Sequence, residues 1–281
     1  MKKQIFVVVS LKIILPLVGV IGVIIFGTSY LISDTPNITT QKAVIIDSLY
    51  DDVPNERFHD QAKEFLEGAG YQVDLYVTEN ATVNFFKKLP SMNYQFIVMR
   101  THALESEENE KPVMIFTGEK YSEEKYISEQ LFGQLQRGTP LLDRTYSIKE
   151  EESTGWIQIN ETTRMISSPV NVEEEKEEYF VVSPKMITDG MEGQFPNSTI
   201  LLGGCSTLKN PSMAESLLKK GASEIIGWDN LVSSSDNDRA LLKILEKTLA
   251  ENMTTQEALD EMMSDWKSNP KYESKMHYFS N

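Results

Sequence analysis

Short apolar runs alternate with amphipathic segments along most of this chain, and this alternation restricts its fold more than any other feature. Buried strands are predicted at 42–47, 71–77, 94–100, 199–202 and 224–228. Helices are predicted at 55–69, 82–89, 212–220, 236–250 and 255–266. Strands that alternate with helices form βαβ units, in which the strands run parallel. The sequence therefore predicts an α/β fold with a mainly parallel sheet.

The stretch from about 105 to 197 breaks this alternation. Its apolar pieces at 113–116, 156–159 and 179–182 are typical of strands, and 122–135 has helical spacing. Charge-rich turns such as 173–178 separate the pieces. We interpret the stretch as an insertion that carries a hairpin or a small antiparallel sheet.

An apolar segment at 13–32 is about as long as the ~20 residues that cross a bilayer core. Lys2, Lys3 and Lys12 precede it, and no further lysine or arginine occurs before Lys42. The positive-inside rule then places residues 1–12 in the cytoplasm and the rest outside. A cleaved signal peptide is the alternative, but the segment is long for one and no clean cleavage site follows. We expect a single-pass cell-membrane protein with an extracytoplasmic domain.

Behind this signal anchor, residues 33–41 have the composition of a polar tether, and the main domain is expected at 42–268, followed by a polar tail at 269–281. The chain has 42 Asp and Glu against 27 Lys and Arg, which gives a net charge of -15. Nucleic acid is not an expected partner, because phosphate contacts need clustered cations. Five Asn-x-Ser/Thr sequons fit exported surface loops: Asn37, Asn80, Asn160, Asn197 and Asn252.

Cys205, the only cysteine, directly follows the predicted strand 199–202 and two glycines. His102 similarly follows the predicted strand 94–100. In a parallel sheet both residues lie at the carboxyl edge, where α/β proteins place their sites. A thiol beside an imidazole forms a nucleophile and a base, because the histidine favours the reactive thiolate. The alternative interpretation is a cysteine that only packs and a histidine that only belongs to a loop.

The segments 96–103 (FIVMRTHA) and 199–206 (TILLGGCS) resemble the caspase-like cysteine peptidases. In that clan the catalytic histidine follows one strand and the nucleophilic cysteine follows the next. The segment 213–229 resembles the CHAT and gingipain pattern of a helix, a Gly-Ala turn and a strand that ends in tryptophan. The resemblance continues at 236–240 and 255–259, which match the two closing helices. It implies a caspase-like three-layer sandwich around the mainly parallel sheet, with the insertion unmatched.

The resemblance implies that Cys205 is the nucleophile and His102 the general base. Backbone N–H groups of Ala103, Gly204 and Cys205 are then expected to hold the oxyanion, since groups that follow such strands suit this role. The sequence departs from the family at Ala103, where glycine is usual. The extra methyl group narrows the approach to the backbone.

The resemblance also suggests substrate-binding residues. Trp228 and Asp229 occupy the region where caspases place a basic residue that selects an acidic P1 side chain. An aspartate there suits a lysine or arginine at P1, and Asp47 at the end of the first strand is a second such aspartate. The alternative is that Asp229 and Asp47 only form turns.

The expected function is therefore that of a membrane-anchored, extracytoplasmic cysteine endopeptidase that cleaves a protein or peptide. No metal and no organic cofactor are expected, and calcium, on which some relatives depend, stays open. An inactive caspase-like module that binds a surface protein or peptide is the alternative, and Ala103 favours it. A flavodoxin-like or response-regulator-like domain lacks support, because the first strand carries no acidic cluster and no phosphate-binding loop follows it.

Overall fold

The computed structural model describes residues 41–105, 112–140, 177–266 and 273–281. These residues form a six-stranded and a four-stranded sheet. The strands are β1 (Lys42–Asp47), β2 (Gln72–Val77), β3 (Phe96–Arg100), β4 (Ala103–Glu105), β5 (Val113–Lys120), β6 (Leu135–Gly138), β7 (Tyr179–Val182), β8 (Thr199–Gly203), β9 (Glu224–Trp228) and β10 (Met276–Ser280). The predicted membrane segment 13–32 lies outside the described residues. Among the described residues, no helix is both long and apolar enough to cross a bilayer.

The six-stranded sheet has the order β10-β9-β8-β3-β1-β2. Its first five strands in sequence run parallel, which confirms the predicted mainly parallel sheet. The sixth, β10, pairs antiparallel with β9 at the edge. Residues 276–280 therefore form a strand, although their sequence places them in a polar tail. Met276 in this strand is buried, and Tyr278 and Phe279 pack partly buried against the two cores. These side chains add to the backbone hydrogen bonds with β9.

The helices are α1 (Glu56–Gly68), α2 (Val83–Lys88), α3 (Ile127–Leu131), α4 (Ser212–Lys219), α5 (Ser234–Leu245) and α6 (Thr255–Ser264). Polar side chains fix several of the starts, because they accept hydrogen bonds from N–H groups that lack a helical partner. Asn55 caps α1 in this way, and Thr82 caps α2. Thr254 caps α6 and forms a capping box with Glu257, as the sequence pattern predicts.

The helix predicted at 122–135 is much shorter in the structure, where only Ile127–Leu131 are helical. Backbone in the left-handed region flanks it, at Tyr126 with φ 51° and at Gly133 with φ 67°. The apolar residues that suggest a longer helix have no core to pack against: Ile127 is 57% exposed and Leu131 is 81% exposed. Leu135 instead begins strand β6.

Alternate residues of the parallel strands enter two separate cores. Ile45, Val98 and Leu201 face a layer formed by α1, α5 and α6. Ile46 and Leu202 point the other way, toward α2, α4 and the four-stranded sheet. Both faces of the six-stranded sheet are thus covered, which explains the nearly continuous apolar runs of its strands.

The four-stranded sheet has the order β4-β5-β7-β6 and is antiparallel throughout. This confirms the small antiparallel sheet predicted for the insertion. The piece at 156–159 lies outside the described residues. The sheet begins directly after His102, because β4 starts at Ala103. A hydrogen bond of 3.0 Å from Thr101 Oγ1 to the carbonyl oxygen of Phe116 joins the two sheets at this point.

Candidate active site at the sheet edge

The central strands β3 and β8 are direct neighbours, with Arg100 and Gly203 as their last register partners. His102 and Cys205 each follow that pair by two residues (100 to 102 and 203 to 205). A backbone hydrogen bond of 2.8 Å from Thr101 N to Gly203 O carries the pairing one step further. The structure therefore places the predicted base and nucleophile just beyond the carboxyl ends of two neighbouring strands.

A tight turn after β8 presents Cys205. A Cβ atom at Gly204 would lie 2.0 Å from the carbonyl oxygen of Thr101, so the close approach of the two chains requires glycine. Ser206, directly after the cysteine, has φ 56°, in the left-handed region that is unfavourable for a serine. Its N–H donates to the carbonyl of Asn230 at 2.9 Å. Unfavourable backbone of this kind is frequent at active sites.

The side chain of Thr207 anchors the same turn to the sheet. Its fully buried side chain donates through Oγ1 to the carbonyl of Leu202 at 3.0 Å and accepts from the N–H of Trp228 at 3.1 Å. The turn is thus tied both to the end of β8 and to the end of β9. Cys205 has little freedom to move its backbone.

The sulfur of Cys205 contacts the backbone of Val232, in the loop between β9 and α5. Sγ lies 3.3 Å from the Val232 carbonyl oxygen and 3.5 Å from the Val232 nitrogen. Burial raises the pKa of the thiol, and hydrogen bonds from the backbone N–H groups of Val232 and of Cys205 itself oppose this only in part. Among the described residues, no hydrogen bond joins Sγ of Cys205 to the ring of His102. The thiol is therefore held in its neutral form.

His102 has a carboxylate partner that the sequence analysis did not identify. Its Nε2 atom lies 3.1 Å from Oδ2 of Asp52, and both side chains are about one-fifth exposed (18% and 21%). The ring also meets the edge of Phe116, with 5.7 Å between centroids. With Nε2 directed at Asp52, Nδ1 is the nitrogen left for a thiol. The signal was the pair Asp51-Asp52 just beyond β1, because the carboxyl ends of β1 and β3 share one edge.

The predicted oxyanion residues lie on both sides of the junction between β3 and β8. Ala103 begins β4, with Ile115 as its antiparallel partner, and the carbonyl of His102 accepts from Phe116 N at 3.0 Å. Gly204 and Cys205 follow β8. The chain thus enters the four-stranded sheet directly after His102.

The predicted substrate-binding residues have different environments. Trp228 is fully buried, and its Nε1 donates to Asn237 Oδ1 at 3.0 Å, so it is a core residue. Asp47 is also fully buried and lies 3.0 Å from Nη1 of Arg100, which leaves its carboxylate without access to a substrate. Asp229 is 34% exposed and accepts from His277 Nε2 at 3.0 Å. Of the three, only Asp229 has a carboxylate at the surface.

In the described ranges, no group of three or more His, Cys, Asp and Glu side chains is arranged to hold a metal ion. No model of a known protein family matches the sequence. The curated proteins give no match either.

Proposed function

We propose that this protein is a caspase-like cysteine endopeptidase in which Cys205 is the nucleophile and His102 is the general base. The supporting observation is the register of the neighbouring parallel strands β3 and β8, because His102 and Cys205 each follow its last pair by two residues. That is the arrangement of the clan that the sequence resembles, where the histidine follows one strand and the cysteine follows the next. The caspase-like fold belongs to the same proposal.

The chemistry follows from these positions. The Cys205 thiol transfers its proton to Nδ1 of His102, and the thiolate attacks the scissile carbonyl carbon. The negative oxygen of the tetrahedral intermediate is held by backbone N–H groups at Ala103, Gly204 and Cys205. As the C–N bond breaks, His102 gives its proton to the leaving amine, which leaves an acyl group on sulfur. A water molecule, deprotonated by His102, then hydrolyses this thioester and restores the thiol.

Asp52 supports both steps in this proposal. A carboxylate 3.1 Å from Nε2 fixes the orientation of the ring and stabilises the imidazolium that forms after proton transfer. The sulfur has to exchange its bond to the Val232 carbonyl for one to Nδ1 before the first step. In this proposal, substrate that binds beside the loop 229–233 displaces the sulfur from the Val232 carbonyl and so allows this exchange.

We further propose a preference for lysine or arginine at P1, with Asp229 as the residue that recognises it. Its carboxylate is at the surface, whereas that of Asp47 is neutralised in the core. Membrane attachment through 13–32 and an extracytoplasmic location are part of the proposal and depend on the sequence alone.

A second function remains open, that of an inactive module that binds a surface protein or peptide. The observation that favours it is the sulfur itself, whose pKa is raised by burial and whose hydrogen bonds go to Val232. Ala103 in place of the usual glycine points the same way. Such a module would keep the sheet edge as a peptide-binding surface without cleavage.

Proteolysis of a mixed peptide library by the native protein and its variants tests the proposal. We expect Cys205→Ala and His102→Ala to lose activity on the order of 10³-fold or more, as when a catalytic nucleophile or base is removed. Ser206→Ala is the matched control, because Ser206 is the neighbour of the nucleophile but contributes only its backbone. Full activity in Cys205→Ala refutes the peptidase, and peptide binding without cleavage by the native protein supports the second function.

A further inference from the structure

A buried ionic cluster lies beneath the sheet edge. It consists of Asp47 at the end of β1, Arg100 at the end of β3 and Asp238 in α5, and we call these three residues the edge cluster. Arg100 Nε donates to Asp238 Oδ1 at 2.7 Å, and Nη1 lies 3.0 Å from Asp47 Oδ2. The side chains of Arg100 and Asp47 are fully buried, and that of Asp238 is 7% exposed.

The edge cluster is not an efficient source of stability. Two carboxylates share one guanidinium. His59 Nε2 lies 2.7 Å from the same Asp47 oxygen, Oδ2, that Arg100 contacts, and Asp47 Oδ1 accepts from Leu49 N at 3.0 Å. Asn55 Nδ2 donates to the remaining Asp238 oxygen, Oδ2, at 2.7 Å. Within the described residues, Nη2 of Arg100 has no hydrogen-bond partner although it is buried. The cost of taking such charges out of water often exceeds their attraction, and apolar side chains serve stability equally well. The geometry that the edge cluster fixes is therefore its more informative property.

The contacts of the edge cluster extend to the ends of the four central strands, β1, β3, β8 and β9. Asp47 ends β1 and Arg100 ends β3, so the edge cluster joins these strands directly. Asn237 extends the edge cluster to β9. Its Nδ2 atom donates to Asp238 Oδ1 at 3.3 Å, and its own Oδ1 atom accepts from Nε1 of Trp228, at the end of β9. The end of β8 packs on the same amide: a Cβ at Gly203 would lie 2.8 Å from Asn237 Oδ1.

We propose that Arg100 is a positioning residue, which sets the relative height of β3 and β8 so that His102 and Cys205 meet at the edge. The residue lies two positions before the base, and its register partner Gly203 lies two positions before the nucleophile. Through Asp238 it also fixes the start of α5, and hence the loop that carries Val232. The catalytic consequence of this inference depends on the proposed peptidase function, whereas its structural part does not.

Three variants test the inference. Arg100→Gln removes the charge and both ion pairs, and Arg100→Lys keeps the charge but loses the fork that reaches two carboxylates. Lys247→Met is the matched control, because Lys247 is another buried cation, 8% exposed, whose partners are not residues of the edge cluster. Glu251 directly follows the helical segment 246–250, and Glu261 lies in α6. Thermal unfolding of all three variants measures whether Lys247→Met is destabilised as much as the two Arg100 variants, as a matched control requires.

The hydrogen-exchange rates of two backbone amides report whether the hydrogen bonds that hold the sheet edge in place are intact. The N–H of Thr101 donates to Gly203 O at 2.8 Å, and that of Ser206 donates to Asn230 O at 2.9 Å. We expect both to lose protection at least 10-fold in Arg100→Gln relative to the amide of Val44 in the middle of β1, with a smaller loss in Arg100→Lys. Lys247→Met should stay within 2-fold of the native protein. Equal protection in Arg100→Gln and Lys247→Met overturns the inference.

Asp238→Asn serves if Arg100→Gln does not fold, because it keeps the pair between Arg100 and Asp47. The same selective loss at Ser206 is expected, and unchanged protection there overturns the inference. Labelling of Cys205 by a thiol-directed peptide probe with lysine at P1, which occupies the site as a substrate would, separates this inference from the proposed function. Equal rates in the native protein and in His102→Ala refute the dyad, while the exchange data still decide whether Arg100 positions the edge. If the dyad holds, Arg100→Gln should fall to the rate of His102→Ala.

Discussion

The sulfur of Cys205 and the backbone of Val232 form a contact that depends on the proton of the thiol. The carbonyl oxygen, 3.3 Å away, accepts a hydrogen bond only from the neutral S–H group. The N–H group, 3.5 Å from the same sulfur, favours the thiolate. The carbonyl and the N–H group of Val232 thus have opposite effects on the protonation of Cys205. Burial raises the pKa of Cys205 and so favours the neutral thiol. The described structure therefore holds Cys205 as a neutral thiol.

The first prediction concerns the pH dependence of Cys205. Because burial raises its pKa, iodoacetamide should alkylate the folded protein with a midpoint above about 8.5, the usual value for a free cysteine. The folded state also holds this proton more tightly than the unfolded state. The resulting stability is complete below the unfolded pKa and is lost as the pH rises through the folded pKa.

Denaturant unfolding should therefore show the native protein losing stability relative to Cys205→Ala as the pH rises above about 8.5. Comparison of the alkylation profile with that of the protein in denaturant provides the control. An alkylation midpoint below the value of the unfolded chain contradicts the buried, neutral thiol.

The second prediction concerns the carboxylate of Asp52. If it orients His102, Asp52→Asn should lower kcat/KM on the order of 10²-fold or more, because the ring loses both its orientation and a partner for its positive charge. Asp51→Asn is the control, since that neighbouring carboxylate accepts from Thr78 Oγ1 at 2.9 Å and does not contact the ring. Equal effects of the two substitutions on peptide hydrolysis would exclude a specific role for Asp52.

The third prediction concerns the glycine before the nucleophile. Gly204→Ala places a methyl group against the carbonyl of Thr101 and should cost about 1–3 kcal/mol in the free energy of unfolding. Gly68→Ala is the matched control, because Gly68 lies at the end of α1 with no atom within 4 Å of the added methyl group. Alanine is the better helix former, so that change should be neutral or stabilising by about 0.5–1 kcal/mol. Urea unfolding of both variants measures the difference, and a harmless Gly204→Ala contradicts the close approach.

The fourth prediction concerns the hydroxyl of Thr207. Thr207→Val leaves the Trp228 N–H without its buried acceptor, which should cost about 1–3 kcal/mol. Thr188→Val removes a hydroxyl that donates only to the Lys185 carbonyl near the surface, and we expect little effect. Thermal and urea unfolding compare the two. Similar stability in both variants would show that the turn at Cys205 does not depend on Thr207.

Local sequence patterns account for much of the architecture. The strand at Lys42–Asp47 is an apolar run long enough to be buried on both faces, and the start of α6 is readable from Thr254 and Glu257. The same patterns place His102 and Cys205 at strand ends. What they do not contain is the order of the strands, so the direct contact of β3 with β8 had to come from the structure.

The parts that the sequence did not predict depend on distant partners. Asp52 acquires its importance from a histidine 50 positions away, and the sulfur of Cys205 meets a backbone group 27 positions away. Asp47 has the sequence position of a site residue, yet Arg100 neutralises it in the core. The strand β10 lies in the predicted polar tail, and it forms because β9 offers an edge to pair with.

The most direct test of the central claim is labelling by a thiol-directed peptide probe with lysine at P1, measured by intact mass on folded protein. We predict one label per chain, located at Cys205, and a rate at least about 100-fold lower in folded His102→Ala, because the imidazole generates the thiolate. An unlabelled native protein, or a labelling rate that His102→Ala leaves unchanged, would contradict the dyad and with it the proposed peptidase.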